Sequence, residues 1–182
     1  MDEAKQLDIL LKRCSMGDRK AQEHLYYSYY GYTMSIALRF SSSREMAEEI
    51  VNDSFLKVFS KIENHDTDKS FKAWLRRIVV NTAIDNNRKN LRNFDTVELI
   101  EERHDSIDDT IDFPKAEEII ALLQNLSPMY RMVFNLYIME GYSHDEIAKE
   151  LNISVNTSRS NLSRAKERLI ELVNKHRVYA KS

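Results

Sequence analysis

A chain of 182 residues, 42% hydrophobic and 31% charged, is long enough to bury a core, and its net charge of −2 excludes a surface that is basic throughout. Only three glycines and two prolines, among many Leu, Ile, Glu, Lys and Arg, argue against a strand-rich fold and for an all-α protein. The single cysteine, Cys14, excludes a disulfide within the chain, no apolar run nears the ~18 residues of a membrane span, and the acidic start MDEAKQ is no signal peptide, so a cytoplasmic protein without membrane insertion is expected.

The first predicted helix covers about residues 3–16, with Leu7, Leu10, Leu11 and Cys14 on one side. Gly17 ends it and Asp18 caps the next, over about 19–40. That second helix is crowded with Tyr26, Tyr27, Tyr29, Tyr30 and Tyr32. Such rings can stack on bases, but Leu25, Tyr29, Tyr32, Ile36 and Phe40 recur at helical spacing, and we read them as a core stripe. After three serines, REMAEEIVNDSFLKVFSKI predicts a third helix with Met46, Ile50, Val51, Phe55, Val58, Phe59 and Ile62 as its apolar stripe. Glu45, Glu48, Glu49 and Asp53 gather in its first half, where the helix dipole favours acids. The same face, with Asn52, could instead dock a basic partner, and composition does not choose between the two.

A polar loop over 63–70 precedes FKAWLRRIVVNTAIDNNRKN, which sets Phe71, Trp74, Leu75, Ile78, Val79 and Thr82 on one helical face. Arg76, Arg77, Asn81, Asp85 and Arg88 fall on or beside the other, which is almost wholly positive, whereas solvated faces usually mix signs. Residues 93–114 are poor in apolar positions and rich in acids, and read as a flexible linker. AEEIIALLQNL then supplies a helix, and Ser127-Pro128 is a cap followed by proline at the first helical position. The helix that follows carries Met129, Val133, Leu136 and Tyr137, and Gly141 stops it.

From Tyr142 to Leu169 the pattern is that of a helix-turn-helix. Ser143 and Glu146 form a capping box, Ile147, Ala148 and Leu151 recur at helical spacing, and Asn152 can take the left-handed conformation that ends the helix. A second helix from about Ser154 turns Val155, Leu162, Ala165 and Leu169 inward and Asn156, Arg159, Ser160, Ser163, Arg164 and Arg168 outward. Arg, Asn and Ser supply the donors that phosphates and base edges need in the major groove.

Charge is segregated along the chain. Between Lys69 and Arg92 stand Lys69, Lys72, Arg76, Arg77, Arg88, Lys89 and Arg92 against Asp85 alone. Between Asp95 and Glu118 ten acids face only Arg103 and Lys115. Beyond Ser154, Arg159, Arg164, Lys166, Arg168, Lys175, Arg177 and Lys181 oppose Glu167 and Glu171. Two basic blocks flanking an acidic one suit local phosphate contacts whatever the total. The five histidines, His24, His65, His104, His144 and His176, lack metal-ligand spacing, no glycine-rich phosphate loop is present, and neither an enzyme nor a cofactor is expected.

Two of these blocks carry a resemblance. AEEIVNDSFLKVFSKI followed by FKAWLRRIVVNTAIDNNRK resembles the second conserved region of bacterial sigma-70-type factors. LSPMYRMVFNLYIMEGYSHDEIAKELNISVNTSRSNLSRAKERL resembles their fourth region, and the short linker between the two resembles the extracytoplasmic-function (ECF) subgroup. The resemblance implies two small helical domains, 1–92 and 115–182, joined by the linker 93–114. It implies a dissociable subunit that binds core RNA polymerase, recognises promoter DNA and helps open it.

By the same resemblance, the helix bearing Glu49, Asn52 and Asp53 docks on the clamp helices of the largest polymerase subunit, and the flap of the second largest is a further contact. The loop with Asn64, His65, Asp66 and Lys69, together with Asn81, would hold a base flipped from the non-template strand of the −10 element. Arg76, Arg77 and Arg88 would follow the strand's backbone. Asn156, Thr157, Arg159, Ser160, Ser163 and Arg164 would face the −35 element, and an anti-sigma factor is a possible partner. With no ATP motif, opening must draw on binding energy, and a base captured in a polar pocket supplies it. Roughly 22 linker residues reach at most ~75 Å, enough for two elements about two helical turns, or ~70 Å, apart.

Two departures stand out. Where the family usually reads Gly-Thr-Val, this chain has Asn156-Thr157-Ser158. Asn156 is expected to take over a left-handed position, and Ser158 either to fit loosely beneath the helix or to bond a backbone carbonyl. A stand-alone helix-turn-helix regulator is the alternative, opposed by the basic block and polar loop around Lys69–Arg92. A helical interaction protein without DNA contact is opposed by the basic recognition segment.

Overall fold

The computed structural model describes residues 3–66, 69–92 and 116–179, and among them every regular element is helical. The expected linker 93–114 lies outside the described residues. Helix α1 (Glu3–Ser15) ends in a turn at Gly17, whose φ of +77° is the left-handed conformation that glycine adopts without Cβ cost. Asp18 then caps α2 (Arg19–Phe40), its carboxylate accepting from the amides of Lys20 and Ala21 and from the Arg13 guanidinium. Ser43 caps α3 (Arg44–Lys61) by accepting from Met46 N. A 3₁₀ turn (Ile62–Asn64) opens the polar loop, and α4 (Phe71–Arg92) follows.

Helices α2, α3 and α4 pack on one another in a bundle, with α1 against α2. The stripe read from α2 is its buried face: Leu25, Ile36 and Phe40 are fully enclosed and Tyr29 and Tyr32 sit half-buried beside them. Tyr26 meets Phe55 at 4.7 Å and Tyr29 meets Phe71 edge-on at 5.0 Å, so these rings are core, while Tyr27 is 70% exposed. Helix α4 is buried around more of its circumference than its stripe predicts, because Val80, Ala83, Ile84 and Asn87 are enclosed as well as Phe71, Leu75, Val79 and Thr82. Cys14 is a core thiol, and burial, with Asp18 adding, raises its pKa.

In the C-terminal part, α5 (Ala116–Gln124) and α6 (Pro128–Phe134) are joined at Ser127, whose hydroxyl accepts from Tyr130 N. Helix α6 does not run unchanged to Gly141. Residues Asn135–Met139 form a π-helical turn, closed by Glu140 N donating to Asn135 O and Tyr142 N donating to Leu136 O around Gly141 at φ +75°. The widened turn directs Tyr137, Ile138 and Met139 outward, so Tyr137 is surface rather than core. Helices α7 (His144–Leu151) and α8 (Val155–Tyr179) complete the chain, α8 packing on α5, α6 and α7.

The two parts share a core. Met132, Val133, Leu136, Ile147, Leu151 and Leu162 belong to the same apolar cluster as the bundle of α2, α3 and α4. Helix α2 packs against α5 and α6, and α4 against α7. Among the described residues no helix is long and apolar enough to cross a membrane.

Candidate nucleic-acid interface

The helix-turn-helix forms as its capping residues dictate. Ser143 Oγ accepts from Glu146 N while Glu146 Oε2 accepts from Ser143 N at 2.8 Å, which satisfies two orphan amides at once. Those bonds lower the Glu146 pKa. Asn152 ends α7 in the left-handed conformation, φ 54° and ψ 47°. Ser154 caps α8, its hydroxyl accepting from Thr157 N at 2.9 Å and lying 2.7 Å from Thr157 Oγ1.

Asn156 corrects the expectation for this turn. It lies within α8, and Asn152 is the described non-glycine residue at positive φ, so no left-handed residue is needed at 156. Ser158 also differs from expectation. It is fully buried, and its hydroxyl sits 2.9 Å from Nδ1 of His144 rather than on a backbone carbonyl. His144 in turn stacks on Tyr137, with centroids 4.5 Å apart. An imidazole at the start of α7 therefore ties the π turn to the recognition helix.

On the outer side of α8, Asn156, Thr157 and Arg159 are exposed, and Ser160, Ser163 and Arg164 are half-exposed. Ser163 Oγ donates to Glu167 Oε1, so its hydroxyl has an intrahelical partner.

The second group of residues surrounds α4. His65 lies against Trp74 (4.9 Å) and Phe71 (5.5 Å), closing the polar loop onto the start of α4, and burial lowers its pKa against the opposing charges of Asp66 and Asp8. Asn64 and Lys69 are exposed, Lys69 paired with Asp66 at 3.0 Å. Asn81 is exposed in a groove between α3 and α4 lined by Lys57, Lys61, Ile78, Ile84, Asp85 and, from α7, Glu150. Lys57 Nζ holds Asp85 at 2.9 Å.

Arg77 is exposed, but Arg76 and Arg88 are engaged from the other part of the chain. Arg76 donates through Nε and Nη2 to both carboxylate oxygens of Glu140, at 2.7 and 3.0 Å. Arg39 approaches the same carboxylate at 3.4 Å. Burial lowers the Arg39 pKa although Glu140 opposes it. At Arg76 burial acts the same way, but the hydrogen bond and charge of Glu140, with Tyr32, outweigh it and raise the pKa. Arg88 donates to the backbone carbonyl of Glu150 and lies 3.2 Å from its carboxylate.

The acidic side of α3 presents Glu49 and Asn52 exposed and Asp53 half-buried. Tyr26 Oη donates to Asn52 Oδ1 at 3.0 Å, which fixes the amide's orientation. Leu56, one turn on from Asn52, is 68% exposed and adds an apolar contact to this side. Its position off the apolar stripe was the available signal.

Sequence spacing also missed Arg131. It is buried, and its guanidinium donates to the carbonyls of Leu123, Gln124 and Leu126, closing the end of α5. Burial lowers its pKa. Its cue was a lone arginine inside an apolar run. Asn135, fully enclosed, gives its amide hydrogens to Arg39 O (2.6 Å) and Arg131 O (2.9 Å), while its Oδ1 has no partner among the described residues.

A helix-turn-helix with an exposed polar recognition face, beside a helical bundle carrying a basic helix and a polar loop, defines an all-α DNA-binding class of protein. The model of sigma-70 region 2 matches residues 25–93 and that of sigma-70 region 4 matches residues 116–169. Together they span more than half of the chain, which belongs to the sigma-70 family of RNA polymerase sigma factors.

The chain is 28% identical over 171 residues to the ECF RNA polymerase sigma-E factor of Haemophilus influenzae, covering 87% of this chain and 90% of that one. It is 28% identical over 151 residues to the ECF RNA polymerase sigma factor SigE of Mycolicibacterium smegmatis, covering 78% of this chain and 57% of the relative. A solved structure of the sigma factor RpoE in complex with the anti-sigma factor NepR from Bartonella quintana aligns with a TM-score of 0.48 and 24% identity, over 84% of this chain and 96% of that one. Within the family the chain is of the ECF type, and it directs core RNA polymerase to promoters.

Proposed function

We propose that the two parts of the chain divide promoter recognition, residues 1–92 serving the polymerase and the −10 element and 115–182 the −35 element, with 93–114 joining them. Helix α8 enters the major groove, where Asn156, Thr157, Arg159, Ser160, Ser163 and Arg164 meet bases and phosphates. The loop with Asn64, His65, Asp66 and Lys69 and the groove at Asn81 take a flipped base of the non-template strand, while Arg76, Arg77 and Arg88 follow its backbone. Glu49, Asn52 and Asp53 dock on the polymerase clamp, with Leu56 as an apolar anchor. The flap of the second largest subunit is a further contact. To these partners the proposal adds an anti-sigma factor, the kind of protein with which the Bartonella quintana relative is in complex.

The observation that supports this most directly is the unobstructed face of α8: Asn156, Thr157 and Arg159 are exposed on a helix whose seating is set by the buried Ser158. A stand-alone helix-turn-helix regulator accounts for α7 and α8 but leaves the region 2 match over 25–93 without a role.

Purified chain added to core polymerase should give transcripts from discrete promoters, with permanganate-reactive thymines near the start. No retention of core polymerase on the immobilised chain would overturn the proposal.

A further inference from the structure

His144 stands at the first turn of α7, where the π turn, α7 and α8 meet. Its ring stacks on Tyr137 of the π turn, with centroids 4.5 Å apart and the planes 24° from parallel. Its Nδ1 lies 2.9 Å from the buried hydroxyl of Ser158 on α8. Nε2 is the ring's remaining polar atom, and it has no hydrogen-bond partner among the described residues. The residue is half-exposed.

The charges that face this ring are unbalanced. Arg159 and Lys166 are exposed on α8 seven positions apart, about two turns, and so lie on one side of that helix. Burial disfavours a charge on the ring, Arg159 and Lys166 repel one, and Asp145 of α7 attracts it. The phenol of Tyr137 is neutral, but its face attracts a cation stacked on it. Two fixed cations beside a group able to become a third gain most from an anion placed among them. A duplex offers one at every backbone phosphate.

We propose that His144 is a further −35 contact of this chain, which takes up a proton as the duplex binds and donates from Nε2 to a backbone phosphate beside Arg159. It rests on the reading of the −35 element by α8 given above. The proton comes from solvent. A phosphodiester stays ionised across the range in which imidazole titrates, so the proton resides on the protein. The contact with Ser158 survives with its direction reversed: Nδ1 accepts from the hydroxyl while the ring is neutral and donates to it when the ring is charged. Recognition of the upstream element is thereby linked to pH through the same side chain that seats the recognition helix.

The test titrates the full chain with a duplex carrying the upstream element of a promoter mapped for it, at constant ionic strength, with the fold checked at each pH by circular dichroism. Affinity should rise by about tenfold as pH falls from about 8 to about 5.5. Calorimetry in buffers of differing ionisation enthalpy should count uptake of up to about one proton per complex. His144→Asn keeps an acceptor near the position of Nδ1 but cannot be charged, and should flatten the slope and abolish the uptake. His24→Gln, at an exposed position on α2, should retain both.

Because the asparagine could disturb the seating of α8, the His144 ring resonance in the unsubstituted chain gives a second reading. Its titration midpoint should move to higher pH when the duplex is bound. A duplex affinity that does not change with pH, a slope that persists in His144→Asn, or a midpoint that the duplex leaves in place would each overturn the proposal. Failure of the underlying reading looks different. In that case the duplex is not bound at any pH and Arg159→Ala leaves promoter-specific transcription intact, which overturns the protonated contact through its premise.

Discussion

Ser158 buries its hydroxyl 2.9 Å from Nδ1 of His144, so the recognition helix is pinned to the helix before it by a side-chain bond. An enclosed hydroxyl with a single partner loses that bond and gains no other when the partner is removed. His144→Ala should therefore lower stability by about 1 kcal/mol through the orphaned hydroxyl, with Ser158→Ala costing less. Urea unfolding measures both, and −35 duplex affinity should fall alongside. If the two variants match the parent in stability and affinity, the bond does not position α8.

Arg159 and Arg164 lie along the outer side of α8, exposed and half-exposed. Arg159→Ala and Arg164→Ala should each weaken −35 duplex binding by about 1–3 kcal/mol where they reach base edges, and less where they meet phosphate alone. Titrations at several salt concentrations separate the cases, because a lost phosphate contact lowers the salt slope uniformly across sequences. Unchanged affinity in both variants would remove α8 from the interface.

Asn81 is exposed in the groove between α3 and α4, whose lining includes none of Glu49, Asn52 and Asp53. Asn81→Ala should keep core polymerase binding and lose promoter opening, read as permanganate reactivity. An undiminished open-complex yield would place the flipped base elsewhere.

His65 stacks on Trp74, the single tryptophan, and burial holds its pKa below the usual 6.5. His144 is lowered by burial too, with Arg159 and Lys166 adding and Asp145 opposing. A histidine depressed in the folded state contributes stability that is full above its unfolded value and is lost as pH falls from there through the folded one. Melting temperature should thus decline below about pH 6.5, and less so in His65→Gln/His144→Gln. Trp74 fluorescence should change over the same acid range in the parent and stay flat in His65→Gln. A parent whose fluorescence is pH-independent would contradict the stack.

Arg131 donates to three carbonyls at the end of α5 from a buried position. Arg131→Met keeps the stem but leaves the Gln124 and Leu126 carbonyls without the guanidinium donor, each costing on the order of 1 kcal/mol or more, while Leu123 O keeps the Leu126 amide. A loss of about 2 kcal/mol or more is expected in urea unfolding. A loss under about 1 kcal/mol would mean that water replaces the guanidinium.

What was legible in the chain was local. Gly17 and Asp18 mark the break between α1 and α2, Ser127-Pro128 starts α6, and the Ser143–Glu146 box and Asn152 bound α7, because each acts within a few residues of itself. The stripe of Leu25, Ile36 and Phe40 was visible for the same reason. The pairing of Arg76 with Glu140 and of Arg88 with Glu150 spans more than sixty residues and has no spacing to betray it. A face that reads as almost wholly positive along α4 is therefore partly neutralised by a distant segment. The π turn is similar in kind: Asn135 is drawn toward Arg39 O by tertiary contact, and no local propensity announces it.

The sealed Asn135 has a further consequence. Its two amide hydrogens grip the backbone on either side while its oxygen has no hydrogen-bond partner among the described residues. An enclosed acceptor without a donor offsets part of what the two amide bonds contribute. Substituting the asparagine by an aliphatic residue of similar bulk would remove both bonds and the unpaired oxygen together, and the balance between them sets the stability of the contact between α2 and the π turn.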